Sequence, residues 1–216
     1  MSTADCLRIA AKVPDCRVLG PGNRAVIWVH GCCFDCPGCI ARQFREGDYE
    51  SVSPAALSQW YLGADADGLT ISGGEPMLQA AGLAEMIRGI RDKRDCGVIV
   101  YSGFIYEALK QKAEEDPGIR AFLAEIDLLI DGPYIEAQND NLPYRGSSNQ
   151  RLLPLTARYR DAMESYYRGR SSREIEIRIS DSHTLMIGVP GKEQAVIWNQ
   201  IQRLGDKNGT TTTNHV

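Results

Sequence analysis

Cys32, Cys36 and Cys39 form a C-x3-C-x2-C run within a short stretch rich in Gly and Pro. Thiolates are soft ligands that select iron–sulfur clusters, zinc or copper(I). Counting from Cys33 instead gives the bacterial ferredoxin spacing, which demands another cysteine four residues on and then a proline; Gln43 and Phe44 stand there. Structural zinc wants four ligands, usually as two separated pairs. No second C-x2-C exists, so His30 would have to complete a zinc site from within a strand. Plain burial of these thiols is the remaining alternative, and loops of this composition seldom bury so many side chains. An iron–sulfur cluster is the reading the residues favour. Three ligands on a four-iron cube leave one iron open to a small molecule.

Other residues suited to chemistry follow apolar runs. Ser72-Gly73-Gly74-Glu75-Pro76 pairs glycines, which let backbone approach closely, with a carboxylate able to receive an ammonium group; an ordinary turn is the bland alternative. Ser102, in Tyr101-Ser102-Gly103-Phe104, is either a ligand contact or a helix N-cap. Asp131, before Gly132-Pro133-Tyr134, is a turn residue or a ligand contact. Arg145 to Arg151 (RGSSNQR) reads as a polar loop. Cys33 neighbours a ligand position and is taken as a packing thiol, and Cys6, Cys16 and Cys96 as ordinary buried ones.

These groups need a frame. Arg24–His30, Gly68–Ser72, Cys96–Tyr101 and Ile126–Asp131 read as strands, and helical spacing marks 54–62, 78–93, 105–112 and 119–125. Strands alternating with helices predict right-handed crossovers and a parallel sheet, with binding sites beyond the carboxyl ends of the strands. The fold class expected is α/β, a partial (β/α) barrel of mostly parallel strands with a small C-terminal β-hairpin and helix. The core spans 1–153. The addition, 154–205, comprises a helix over 156–168, a hairpin around Asp181-Ser182 and a helix over 192–204. Residues 206–216 are expected to be disordered.

The cysteine spacing at the end of a strand is similar to the radical S-adenosylmethionine (SAM) signature, and SGGEP one βα unit later resembles that superfamily's GGE motif. GPGNR, the cysteine loop, SGGEP, YSGFIYEAL, LIDGPY and YRGSSNQ occur in the order found in anaerobic ribonucleoside-triphosphate reductase activating proteins, over about Gly20 to Leu153. The resemblance implies a [4Fe-4S] cluster on Cys32, Cys36 and Cys39, with SAM chelated by the open iron. Reductive cleavage of SAM would give a 5′-deoxyadenosyl radical that takes a hydrogen atom from a glycine of a partner enzyme, without an acid–base residue. It further implies cofactor contacts at Gly38, Ile40, Gly73, Gly74, Glu75 and Pro76, with Ser102 and Asp131 as further candidates. Arg145, Ser147 and Asn149 are candidates for substrate or partner contact. An electron donor such as flavodoxin or ferredoxin is implied. The sixty-odd residues past Gln150 leave open a tailoring enzyme acting on a peptide or small metabolite, and a non-enzymatic iron–sulfur or zinc module.

Composition agrees with this class. The chain has 216 residues, 43% hydrophobic and 24% charged, enough for one well-buried domain. A net charge of −4 gives no support to nucleic-acid binding. Of seven cysteines, four lie between Cys32 and Cys39, which argues against a disulfide framework. The N-terminus does not read as a signal peptide and no apolar run reaches membrane-spanning length, so a cytoplasmic enzyme is expected.

Overall fold

Arg24–Val29 (β2) is buried along its whole length, because both faces of this strand are covered. In the computed structural model, which describes residues 6–168, 173–179, 183–191, 193, 196–197, 200 and 211–215, β2 lies near the middle of a seven-stranded sheet. Gly68–Gly73 (β4), Gly97–Ser102 (β5) and Leu128–Asp131 (β6) follow it in parallel register, each beside its predecessor. This is the parallel sheet expected from the alternation of strands and helices. Antiparallel strands flank it. Leu7–Val13 (β1) and Glu50–Val52 (β3) lie on one side, and Arg151–Pro154 (β7) on the other. The order β3-β1-β2-β4-β5-β6-β7 is linear.

The helices between the parallel strands cover one face. After a four-residue α1 (Gln43–Glu46), α2 (Pro54–Leu62) begins where the Ser53 hydroxyl accepts from Ala56 N and Pro54 occupies the first turn. A 3₁₀ turn, Pro76–Gln79, leads into α3 (Ala80–Arg91). Then come α4 (Tyr106–Glu115) and α5 (Pro117–Leu123), the latter capped by Asp116. Alternate strand residues Ala25, Ile27, Val29, Ile71, Val98 and Val100 pack here against Leu57, Leu83, Ile87 and Phe122.

The opposite face is closed by the C-terminal part of the chain. Met163 and Tyr166 of α6 (Arg160–Arg168) cover Ile99, Leu128 and Ile130. Ile187 and Val189 join Leu19 and Phe44 over Val26 and Trp28. The hairpin Glu176–Ile179 (β8) and His183–Ile187 (β9) belongs to a separate three-stranded sheet and does not extend the main one. Its third strand, Thr211–His215 (β10), runs parallel to β9 within the stretch that the sequence reads as a polar tail; 206–210 and 216 lie outside the described residues. The run of β-branched threonines supplies strand propensity that its polarity conceals. The helix expected over 192–204 falls mostly outside the described residues.

Candidate functional site

The chain turns sharply after β2, and that turn sets the cysteine loop. Gly31 N donates to Phe44 O (2.8 Å), closing the loop at its base. Phe44 is buried and its ring stacks on Trp28, 6.1 Å between centroids. Arg45 pairs with Asp35 and with Glu46 (2.5 Å), tying the loop to α1 from the solvent side. Within the loop, Phe34 N faces Cys32 Sγ (3.4 Å) and Cys39 N donates to Cys36 O (3.2 Å).

The paired glycines position this loop from below. Gly73 has φ +104°, a backbone state that side chains rarely adopt. A Cβ on Gly74 would lie 2.0 Å from Gly31 O. Gly74 N donates to Val29 O and Glu75 N to Gly31 O, both 2.8 Å. Backbone therefore meets backbone, and the second loop becomes the floor of the first.

Cys32, Cys36, Cys39, Gly73, Gly74, Glu75 and Ser102 line one cleft at the carboxyl ends of β2, β4 and β5. Tyr134 and Gln150 line it as well. Its empty space, open mouth included, is about 780 Å³. Cys33 is exposed and outside this lining. Burial pushes the Cys32 thiol up to about 11, against the opposing Phe34 N–H, and raises Cys39 as well. Such thiols must lose protons when they take metal. Among the described residues no group of three His, Cys, Asp or Glu side chains converges on a single metal ion. The thiols instead face a common space from separate positions, an arrangement suited to a multi-iron cluster that takes one thiolate per iron.

Glu75 is fully buried, and its carboxylate already has three donors. Oε1 accepts from Met77 N and Ser102 Oγ, each 2.9 Å, and Oε2 from Gly103 N at 2.8 Å. Burial nonetheless pushes its pKa up to about 7. It thus joins the loop after β4 to the loop after β5. Ser102 completes that join and also accepts from Phe104 N (3.1 Å).

Ile40 lines an inner cavity continuous with the cleft, which shares Cys39, Ser72, Tyr101, Tyr134 and Gln150 with it. Other expected contacts stand elsewhere. Gly38 (φ +71°) packs under the Glu136 carboxylate, Pro76 is buried at the 3₁₀ turn, and neither lines the cleft. Asp131 accepts from Tyr106 N (2.7 Å) and Arg151 Nε (2.9 Å) and is likewise outside it. Arg145 pairs with Asp140 (2.5 Å), Ser147 Oγ accepts from Ile135 N (3.1 Å), and Asn149 Nδ2 donates to Pro133 O (2.7 Å). These three shape their own loop; from that segment Gln150 lines the cleft and Gly146 the inner cavity.

One residue went unnoticed in the sequence. The Tyr101 hydroxyl is buried without a hydrogen-bond partner among the described residues, and the residue borders both spaces. Burial raises its pKa, keeping it protonated. Its position at the end of β5 was the only available signal.

Comparison with known proteins agrees with this geometry. Residues 18–153 match the family described as "4Fe-4S single cluster domain". The anaerobic ribonucleoside-triphosphate reductase-activating protein of Haemophilus influenzae is 32% identical over 143 residues, 61% of this chain and 87% of that protein. The proteins of the same name from Vibrio cholerae (32%, covering 62% of this chain and 88% of that one) and phage T4 (30%, 62% and 86%) are similarly related. From β2 through β7, with its cysteine loop and glycine floor in place, the chain belongs to the 4Fe-4S single cluster domain family, together with the anaerobic ribonucleoside-triphosphate reductase-activating proteins.

Proposed function

We propose that this chain is a radical SAM activating enzyme that takes a hydrogen atom from a glycine of a partner, most simply an anaerobic ribonucleotide reductase. The observation that carries the reading is the single cleft shared by Cys32, Cys36, Cys39 and the Gly73-Gly74 turn, in a chain of this family. The three thiols would hold a [4Fe-4S] cluster with one iron left open for SAM. Bound there, the cluster would supply one electron to the SAM sulfonium, breaking its bond to the 5′ carbon, which then takes the hydrogen.

The chain's own work is placement. The Gly73-Gly74 backbone brings the β4 loop beneath the cysteines, and Glu75 with Ser102 fixes the height of the β5 loop beside it. Tyr134 and Gln150, which line the same cleft, take up space that water would otherwise fill. No proton transfer by a side chain is required. Curvature of the sheet into a partial barrel would suit this cleft. A flavodoxin or ferredoxin would serve as electron donor, in the cytoplasm; among the described residues no helix is long and apolar enough to cross a membrane.

The test is anaerobic. Protein reconstituted with iron and sulfide, then reduced, should release methionine and 5′-deoxyadenosine from SAM, and with a candidate reductase should give a glycyl-radical doublet in electron paramagnetic resonance. Release without a doublet would shift the reading to another hydrogen donor. No release would end it.

A further inference from the structure

Arg173 lies just ahead of β8, in the part of the chain beyond the family match, and is 8% exposed. Its guanidinium is spent on one loop and its own segment. Nε and Nη2 donate to Leu142 O (3.0 and 2.8 Å), and Nη2 also to Arg145 O (2.5 Å). Nη1 donates to Asn139 Oδ1 (3.2 Å) and Pro190 O (2.7 Å). A planar fork of five N–H donors suits this set of oxygens, and an ammonium would not.

The loop held this way runs on to Gly146 and Gln150, which border the inner cavity, as Asn139 does. Val189 of the arginine's own segment borders it too. Arg178 pairs with Asp15 (3.0 Å), and Glu176 Oε1 accepts from Arg17 N (2.6 Å), so β8 is also fixed to the connection between β1 and β2. Gly188 (φ +113°) lets it turn close to Val18.

We infer that the segment ending in Val189 and Pro190 supplies part of the wall of the reaction cavity, and that Arg173 is the positioning residue holding the 139–150 loop against SAM. This rests on the reading of the cleft as the SAM site. Arg173 touches no reacting atom; it acts through Gln150 and the loop that carries it.

The test uses Arg173→Met, which keeps the stem and removes the fork, and Arg173→Lys, which keeps the charge as well. In the metal-free protein, hydrogen–deuterium exchange over 139–150 should quicken about tenfold or more, with β2 and β4 unchanged. In the reconstituted protein the KM for SAM should rise about tenfold while kcat for 5′-deoxyadenosine release holds within about twofold. Loss of folded protein would do the reverse, lowering kcat at constant KM. Unchanged exchange, or a fall in kcat alone, overturns the inference; Arg173→Lys provides the same comparison if Arg173→Met does not fold. If wild-type protein releases no 5′-deoxyadenosine, the SAM reading fails while exchange still decides whether Arg173 pins the loop.

Discussion

Individual side chains in this cleft divide into those that face it and those that hold what faces it. Cys33 is exposed and off the lining, so Cys33→Ser should retain the iron content and visible absorbance of the reconstituted protein. Cys32→Ser, Cys36→Ser and Cys39→Ser should each lose most of both. Glu75 makes a prediction of a different kind. Its folded pKa, about 7, lies above the ordinary 4.5, so the folded metal-free protein binds this proton more tightly than the unfolded chain. Stability is therefore full below pH 4.5 and falls as pH rises towards 7, by about 3 kcal/mol over that window. Glu75→Gln should flatten that slope in urea titrations at pH 5 and 7.5; an unchanged slope would falsify the assignment. That the cysteine loop and the glycine turn meet in one cleft was legible from their placement one βα unit apart, each after a strand. Sequence places Asp131 at a strand end and Ser147 in a loop but cannot say which way a carboxylate or hydroxyl turns. Each was turned inward by a backbone N–H in need of an acceptor.

Among the elements, the parallel core was readable because β2, β4, β5 and β6 are nearly continuous apolar runs between helices of 3.6 period. The antiparallel strands were not. β3 has three residues, too few to show a period, and β7 begins in a polar loop. In β1 Leu7, Ile9 and Val13 are buried, but the register with β2 slips between Ile9 and Ala11, which blurs the alternation. Strands like these are defined by their neighbours more than by their own residues. The β4 turn shows how strictly such contacts bind one element to the next. Gly74→Ala would drive a methyl into Gly31 O, and forcing the two loops apart should cost roughly 3 kcal/mol or more. The expected result is a protein with a lowered melting temperature and little reconstitutable iron, although no ligand has been removed.

At the scale of the molecule, the part beyond Leu153 completes the second face of the sheet. Tyr159 joins it to the core, its hydroxyl accepting from Arg24 Nη1 (2.8 Å). Arg24 is 1% exposed and also donates to Leu69 O, Gly97 O and Thr70 Oγ1. Tyr159→Phe should cost about 1–2 kcal/mol by leaving a buried donor poorly paired. Since neither residue lines the cleft, SAM cleavage at 25 °C should be unaffected. Sequence could mark where the family resemblance ended, but not that the added residues pack against Val26, Trp28, Ile99 and Ile130, because long-range packing leaves no local pattern. The hydrogen bond between Gly31 and Phe44, with Phe44 seated on Trp28, bears on how the protein matures. It ties both ends of the cysteine loop without any contribution from the thiols. Closure of the loop at its base therefore does not depend on the thiols, and the expected outcome is a polypeptide that folds before any iron is supplied. The Gly31 amide should already be protected from exchange before iron is added.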